Sequence, residues 1–296
     1  MSAELIVIKA MVSSKISEPI SGDKAYQVRA RAALPLLVRQ AQAGVPVFYS
    51  DLAEELGMPN PRNLNYVLGS IGNSLERLSK AWKTKVPPIQ CVVVNKSTGL
   101  PGEGIGWFLV KKEDFASLPL RKRRAIVEAE LHHIFSYPRW DEVLKAFALE
   151  PTIFDFSRII AKASVGFGGG ESEAHKTLKE YVARNPEVIG LKSNTEAGVT
   201  EYALPSGDSL DVSFNGKTVW VSAEVKSAIS TVDDIARGLF QCVKYRAVME
   251  AVLLSKARPQ NARALLVLES SFPQSLVPLR NILGVDVIDG VTPKKG

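Results

Sequence analysis

The segment Ser209–Lys226 reads SLDVSFNGKTVWVSAEVK and decides the fold of the second half of the chain. Its two runs rich in β-branched and aromatic residues predict two strands. The Asn215-Gly216 pair between them predicts a tight hairpin turn, with φ above zero at both turn positions. Such a hairpin carries Asp211 and Glu224 on neighbouring strands, so the segment predicts that two carboxylates lie close together.

The second predicted strand adds a positive charge to this pair. Since successive side chains of a strand point to opposite faces, Glu224 and Lys226 share one face while Val225 points into the core. Mg²⁺ takes oxygen ligands and keeps several waters, so one or two carboxylates and a substrate phosphate suffice to bind it. We therefore predict Asp211 and Glu224 as ligands of Mg²⁺, for which Mn²⁺ substitutes. Lys226 is predicted to activate the attacking water or to neutralise charge on the phosphate.

A helix is predicted upstream of the hairpin, ending before Asn185-Pro186. Glu171 lies four residues before His175 and seven before Leu178, so helical spacing places it on the inward face, which Glu173 does not share. The alternative for Glu171 is a carboxylate that complements the helix dipole. We interpret His175 as a residue that packs the helix, rather than as a ligand.

A second helix is predicted downstream, capped by Ser230 or Thr231. Gln241 and Tyr245 lie one turn apart on it and share a face, although an ordinary amphipathic helix has the same spacing. The rest of the chain predicts strand, helix and strand, which gives an α/β unit in which strands alternate with helices. These three segments are residues 264–268, 274–283 and 285–288.

The hairpin resembles the core of the PD-(D/E)xK nuclease superfamily. In that family an acidic residue on the second strand and an E-x-K tripeptide on the third carry catalysis. The corresponding residues here are Asp211 and Glu224-Val225-Lys226. One departure is Leu210, which stands where the motif has a proline, although members of the superfamily often lack that proline.

The resemblance has further implications for the fold and the site. It implies a restriction-endonuclease-like α/β/α sandwich, with a glutamate on the first helix, for which Glu171 is the candidate. It also implies a site role for Gln241 and Tyr245, because a subset of these nucleases carries a Q-x-x-x-Y motif that supports the active site or meets the nucleic acid.

The first half of the chain predicts a different kind of domain. The segment Val45–Pro59 predicts a short strand and a capped helix that ends at a glycine. A second helix follows over residues 62–82. The apolar segments 89–94 and 107–110, joined by a glycine-rich stretch, predict a pair of strands. Helix, turn, helix and a two-stranded wing make a winged helix, whose second helix enters the major groove of DNA.

This half resembles the DNA-binding domain of alkylguanine DNA alkyltransferases, around Tyr49–Ala53 and Pro88–Gly104. The reactive cysteine of that family directly follows a proline and precedes histidine and arginine. Here the proline is followed by Ile89 and Gln90, and Cys91 has no neighbouring histidine to lower its pKa. The sequence therefore predicts DNA binding without alkyl transfer.

The candidate DNA contacts lie at the start of the second helix. Arg62, Asn63 and Asn65 carry side chains that form bidentate hydrogen bonds with guanine and adenine edges, although a helix cap with surface polar residues explains them equally well. The net charge is +6, of which residues 1–160 carry +5. A basic N-terminal half favours binding of the phosphate backbone. The densest basic run is Arg121–Arg124, whose alternative is a solvated helix face.

The 296 residues are enough for two domains, which we place at residues 1–160 and 161–296, with the break before Gly168–Gly170. No apolar run reaches the length of a membrane span, and the first residues do not resemble a signal peptide. We therefore expect a cytoplasmic protein with no membrane partner, and the sequence leaves open whether it forms a homodimer. Cys91 and Cys242 are predicted to be buried thiols.

Together these patterns predict a metal-dependent endonuclease that binds double-stranded DNA, hydrolyses its phosphodiester bonds and serves in restriction or defence. Two alternatives remain open at this point. The first is a nuclease of DNA repair, which shares the chemistry. The second is a DNA-binding protein whose nuclease fold is inactive.

Overall fold

A computed structural model describes four segments of the chain: residues 17–110, 115–164, 172–258 and 261–293. The chain divides between Phe154 and Asp155 into two compact units. The boundary predicted at residue 160 falls inside a helix, Ser157–Ser164, that packs within the second unit. The glycine run before residue 171 and Glu171 itself lie outside the described residues.

The first unit consists mainly of helices around one apolar core. Its two strands are short and pair in parallel, Val47 with Val93 and Phe48 with Val94. The helices and strands, in chain order, are α1 (Ala25–Ala43), β1 (Val47–Phe48), α2 (Tyr49–Glu55), α3 (Leu64–Trp82), β2 (Val93–Val94), α4 (Gly106–Leu109), α5 (Leu120–Phe135) and α6 (Trp140–Ala146).

The helices α2 and α3 form the predicted helix, turn and helix. Gly57 follows α2 with φ at 61°, a left-handed conformation that glycine adopts without strain. Asn60 then caps a short 3₁₀ turn, Pro61–Asn63, by accepting a hydrogen bond from the backbone N–H of Arg62. Helix α3 starts directly after this turn. Its buried face follows the helical period and comprises Leu64, Val67, Leu68, Ile71 and Leu75.

The predicted two-stranded wing is wrong. Residues Ile89–Val92 form a 3₁₀ turn whose side chains are all buried, and the segment that begins at Gly106 forms helix α4 instead of a strand. Only Val93 and Val94 of the predicted first wing strand are extended, and they pair with β1. The physical reason is that a short continuous apolar run has no period that separates a strand from a buried helical turn.

The second unit is a mixed α/β unit built on a five-stranded sheet. The strand order is β3-β4-β5-β6-β7, and the pairs β3-β4 and β4-β5 are antiparallel whereas β5-β6 and β6-β7 are parallel. The helices and strands are α7 (Ser157–Ser164), α8 (Glu173–Arg184), β3 (Val199–Ala203), β4 (Ser209–Asn215), β5 (Val219–Lys226), α9 (Val232–Ser255), β6 (Asn261–Leu268), α10 (Val277–Leu283) and β7 (Asp286–Ile288).

Helices cover both faces of this sheet, each over its own apolar core. Leu178 and Val182 of α8 pack with Val225 of β5 on one face. On the other face, Leu239 of α9 packs with Leu266 of β6, and α10 adds to the same core. The predicted α/β class is therefore confirmed, as are the predicted helix and strand segments around the hairpin. Strand β3 was not predicted.

The hairpin between β4 and β5 is confirmed, but its predicted turn is wrong. Neither Asn215 nor Gly216 has a positive φ. Asn215 still belongs to β4 and pairs with Trp220, and the chain reverses over Lys217 and Thr218. The N–H of Gly216 donates to the carbonyl of Val219 at 3.0 Å. The Asn215-Gly216 pair therefore lies at the end of strand β4, and the turn itself is formed by the next two residues.

Three further sequence predictions concern single features. Cys91 and Cys242 are free and buried, as predicted. The basic run Arg121–Arg124 lies in the first turns of α5, where three of its four side chains are exposed. None of the helices in the described segments has the length and apolar character that crossing a membrane requires.

Candidate active site

Strand β5 presents Glu224 and Lys226 towards helix α9, while Val225 packs on the opposite face of the sheet. This alternation confirms the geometry expected from the sequence. The Glu224 side chain is only 3% exposed, and its Oε1 accepts a hydrogen bond from Nζ of Lys226 at 2.6 Å. Gly238 of α9 allows this close packing, because a Cβ there would lie 3.1 Å from Cε of Lys226 and 2.8 Å from Cδ1 of Leu266.

Asp211 lies where β4 and β5 separate. The pairing of the two strands runs from Asn215 to Val212 and stops there. Beyond this point, Oδ2 of Asp211 accepts the backbone N–H of Val225 at 2.9 Å. The side chain thus replaces a backbone hydrogen bond that the separating strands no longer form, and it fixes the carboxylate beside β5.

His175, which the sequence predicts only as a residue that packs the helix, lies beside Asp211. Its Nε2 lies 3.6 Å from Oδ1 of Asp211. His175 is in the first turn of α8, where its backbone N–H donates to the Ser172 cap. Its spacing of three and seven residues from the buried Leu178 and Val182 places it on the inward face. That spacing was the available signal for a site residue.

Gln241 and Tyr245 extend the site along α9, one turn apart as predicted. Oε1 of Gln241 accepts from Nζ of Lys226 at 3.3 Å, and Nε2 of Gln241 donates to the Tyr245 hydroxyl at 3.1 Å. Burial and the nearby charge of Glu224 raise the pKa of Tyr245, so its hydroxyl stays protonated. Lys226 is thereby held between a carboxylate and an amide oxygen.

The charges of the site act on one another. Burial and the charge of Asp211 raise the pKa of Glu224 to about 7, although Lys226 opposes this shift. Burial also acts to raise the pKa of Asp211, but His175, the Val225 amide and the charge of Lys226 outweigh it, so the pKa is lowered. Burial acts to lower the pKa of Lys226, whereas Glu224 and Asp211 raise it by more. The site thus holds an ionised aspartate and a charged lysine.

The donor set fits a hard divalent ion with few protein ligands. Asp211 and Glu224 supply carboxylate oxygens, and the one hydrogen bond that the described residues give Glu224 goes to Oε1. Within the described segments, no group of three or more His, Cys, Asp or Glu side chains has the geometry to hold a metal ion. Two carboxylates remain compatible with Mg²⁺, which usually keeps several waters and binds substrate phosphate. The third predicted acid, Glu171, is outside the described segments.

The predicted DNA contacts of the first unit lie together on its surface. Arg62 and Asn63 are in the 3₁₀ turn before α3, Asn65 is in the first turn of α3, and all three side chains are exposed. Asn63 occupies the N-cap position of α3, but its side chain forms no capping hydrogen bond, so a capping role does not account for it. Tyr66, which is also exposed, stands beside them, and its ring centroid lies 6.1 Å from that of Tyr26.

A small cavity opens next to these residues, lined in part by Tyr49, Asn65 and Gln90. Gln90 is 4% exposed, yet neither its amide nitrogen nor its amide oxygen has a hydrogen-bond partner among the described residues. The Tyr49 hydroxyl accepts the backbone N–H of Gly102 at 3.0 Å across the cavity wall. In the sequence, Gln90 stands out only by its position next to the missing nucleophile.

Cys91, two residues beyond Ile89, does not replace that nucleophile. Its side chain is fully buried, and burial together with the charge of Glu130 raises its pKa well above the ordinary value. The thiol therefore stays protonated and inaccessible.

Comparisons of the chain with protein-family models, with curated proteins and with solved structures found no match.

Proposed function

We propose that the chain is a Mg²⁺-dependent endonuclease that hydrolyses phosphodiester bonds in DNA. The observation that carries this proposal is the convergence of Asp211, Glu224 and Lys226 at the carboxyl end of β5. In sheets with parallel strands, ligands bind at the carboxyl ends of the strands, and Lys226 is the last residue of β5. The resemblance to the PD-(D/E)xK nucleases, stated from the sequence, supports the same chemistry.

Each side chain has a defined task in this proposal. Asp211 and Glu224 would hold the ion, which when bound supplies a Lewis acid for the phosphate and a more acidic water. Lys226 stays cationic and donates hydrogen bonds, so it stabilises negative charge as it develops on the phosphate. Gln241 and Tyr245 orient the Lys226 ammonium group through the hydrogen bonds described above.

The test is cleavage of DNA by the full chain with and without Mg²⁺. We expect Asp211→Asn and Lys226→Ala to lower the cleavage rate by about 100-fold or more, since each removes a group that stabilises the transition state. Arg184→Ala is the control, because Arg184 forms an exposed ion pair with Glu180 in a helix of the same unit. Wild-type rates in both site variants, or cleavage that persists in EDTA, would refute the proposal.

We also propose that the first unit recognises DNA and that its small cavity receives the hydrogen-bonding edge of a base turned out of the duplex. The Gln90 amide, which has no hydrogen-bond partner within the described part of the chain, carries this second proposal. A buried amide without partners is costly, and the hydrogen-bonding edge of any base offers one donor and one acceptor to match it. Turning out a base costs least where its pairing is already weak, so such a cavity selects altered or poorly paired bases.

The second proposal is tested with duplexes that are unmodified or carry either modified cytosine or alkylated guanine. We expect tighter binding of at least one modified duplex, and Gln90→Leu should remove that preference while leaving affinity for the unmodified duplex unchanged. Gln42→Leu is the matched control, because Gln42 is an exposed glutamine of the same unit. Equal affinities of the wild type for all three duplexes would rule out base selection. The restriction or defence setting remains part of the first proposal.

A further inference from the structure

The alternation of side chains in β4 is interrupted at Asp211. Residues two positions apart in a regular strand point to the same face. Leu210, however, packs in the core beneath α9, whereas Val212 packs in the opposite core beneath α8. The strand therefore changes face at Asp211, the residue that supplies the first carboxylate of the site.

Strand β3, which pairs with β4, is irregular at the position opposite Asp211. Thr200 pairs with Val212 and Tyr202 pairs with Leu210, so Glu201 lies opposite Asp211, and the pairing skips both residues. Glu201 has φ at 52°, which is a left-handed conformation. This conformation is unfavourable in free energy for residues other than glycine. We call this interruption of β3 the Glu201 kink.

A buried lysine holds the Glu201 kink. Nζ of Lys179, on α8, donates to Oε1 of Glu201, and the Ser209 hydroxyl donates to Oε2 at 3.1 Å. The Lys179 side chain is only 5% exposed, whereas that of Glu201 is 58% exposed. Lys179 lies one turn after His175 on α8, so the two side chains share a face of the helix. This face contacts both Asp211 and Glu201, which lies opposite Asp211 in β3.

We propose that Lys179 and Glu201 are positioning residues of the active site: their ion pair maintains the Glu201 kink, which turns the Asp211 carboxylate towards Val225 and Glu224. This inference rests on the proposed function, because it assigns the ion pair to the metal site of that function. Residues that orient a metal ligand typically change metal affinity or activity by about 10- to 100-fold when they are replaced.

The competing explanation is an ion pair that only stabilises the fold. In that case its loss would lower the unfolding temperature and leave the affinity of the folded protein for metal unchanged. Binding of Mn²⁺, measured by electron paramagnetic resonance on the full chain without DNA, separates the two explanations. Cleavage as a function of Mg²⁺ concentration provides the second readout.

The test compares two substitutions at Glu201 and one at Lys179 with a control substitution on the same helix as Lys179. Glu201→Ala removes both hydrogen-bond acceptors and Glu201→Gln retains one of them, so we expect weaker Mn²⁺ binding by about 10-fold or more for the first and a smaller loss for the second. Lys179→Met should resemble Glu201→Ala. The control is Glu180→Ala, which removes an exposed ion pair of α8 and should bind Mn²⁺ like the wild type.

Unchanged Mn²⁺ affinity in folded Glu201→Ala would overturn the inference and leave the nuclease proposal intact. If Lys179→Met fails to fold, the two Glu201 variants still decide the question, since the Glu201 side chain is partly exposed. If the wild type binds Mn²⁺ but cuts no DNA, the nuclease proposal fails, whereas the Mn²⁺ affinities of the variants still decide the positioning role. A wild type that binds no Mn²⁺ would overturn both.

Discussion

Glu224 combines almost complete burial with a position beside a second carboxylate. Both conditions favour its protonated form, which explains why its pKa is raised to about 7. A metal ion needs the ionised carboxylate and therefore has to displace a proton. Metal binding at the proposed site therefore depends on pH in the neutral range, where an ordinary glutamate would already be fully ionised.

We expect the affinity for Mn²⁺ to fall as the pH falls below about 7, by up to about 10-fold per pH unit, since the proton then competes for Glu224. Above that pH Glu224 is ionised, so its titration should no longer change the affinity for Mn²⁺. The measurement is a series of Mn²⁺ titrations between pH 6 and pH 8.5. Glu224→Gln, which has no proton to release, should bind more weakly and without this pH dependence. A flat profile for the wild type would contradict the assignment of Glu224 as a ligand.

At the level of elements, α9 joins the site to the sheet, and its start is fixed by a capping box. The Thr231 hydroxyl accepts the backbone N–H of Asp234 at 3.2 Å, and the Asp234 carboxylate accepts the N–H of Thr231 at 3.1 Å. Such reciprocal caps satisfy two N–H groups that the helix itself leaves unpaired. The cap also sets the start of the helix from which Gly238 and Gln241 meet Lys226.

Removal of this cap should weaken the second unit. We expect Thr231→Ala to lower the free energy of unfolding by about 1 kcal/mol, the usual effect of losing a threonine cap. Ser230→Ala is the matched control, because the neighbouring Ser230 provides no cap and its loss should change stability by less than about 0.5 kcal/mol. Urea unfolding of both variants measures the difference. Equal stabilities would show that packing of α9 on the sheet alone fixes its start.

The sequence predicted those elements whose period or capping signal is local. The β4-β5 hairpin, a helix cap at Ser230 or Thr231 and the shared face of Gln241 and Tyr245 all follow from residues a few positions apart. The wing failed because the apolar run after Pro88 has no alternation. The Glu201 kink had no signal in the sequence, since it arises from contacts between α8 and the sheet.

Across the whole molecule, positive charge is distributed unevenly. The first 160 residues carry five of the six net positive charges, and the exposed Arg62 lies at the start of α3. Proteins that bind DNA through lysine and arginine release condensed counterions, so their affinity falls steeply as salt rises. This distribution assigns most of the expected backbone binding to the first unit.

We expect duplex binding by the full chain to weaken as salt rises from 50 mM to 200 mM. Arg62→Ala should lower affinity; a phosphate contact would also reduce the slope of log affinity against log salt by about one, whereas a base contact would leave the slope nearly unchanged. Lys256→Ala, which removes an exposed charge from the second unit, serves as the control. The measurement is fluorescence anisotropy with the Asp211→Asn variant as background, so that DNA is not cut. Unchanged affinity in Arg62→Ala would place the contact elsewhere.

The antiparallel pairing of β4 with β5 also has a consequence for the order of folding. Asp211 and Glu224 lie on a hairpin whose strands are adjacent in the chain, and hairpins of this kind form in about 1–10 μs. The parallel pairing of β5 with β6 requires the crossover through α9 and is slower, because distant segments have to meet first. We therefore expect the two carboxylates to come together before β6 pairs with β5.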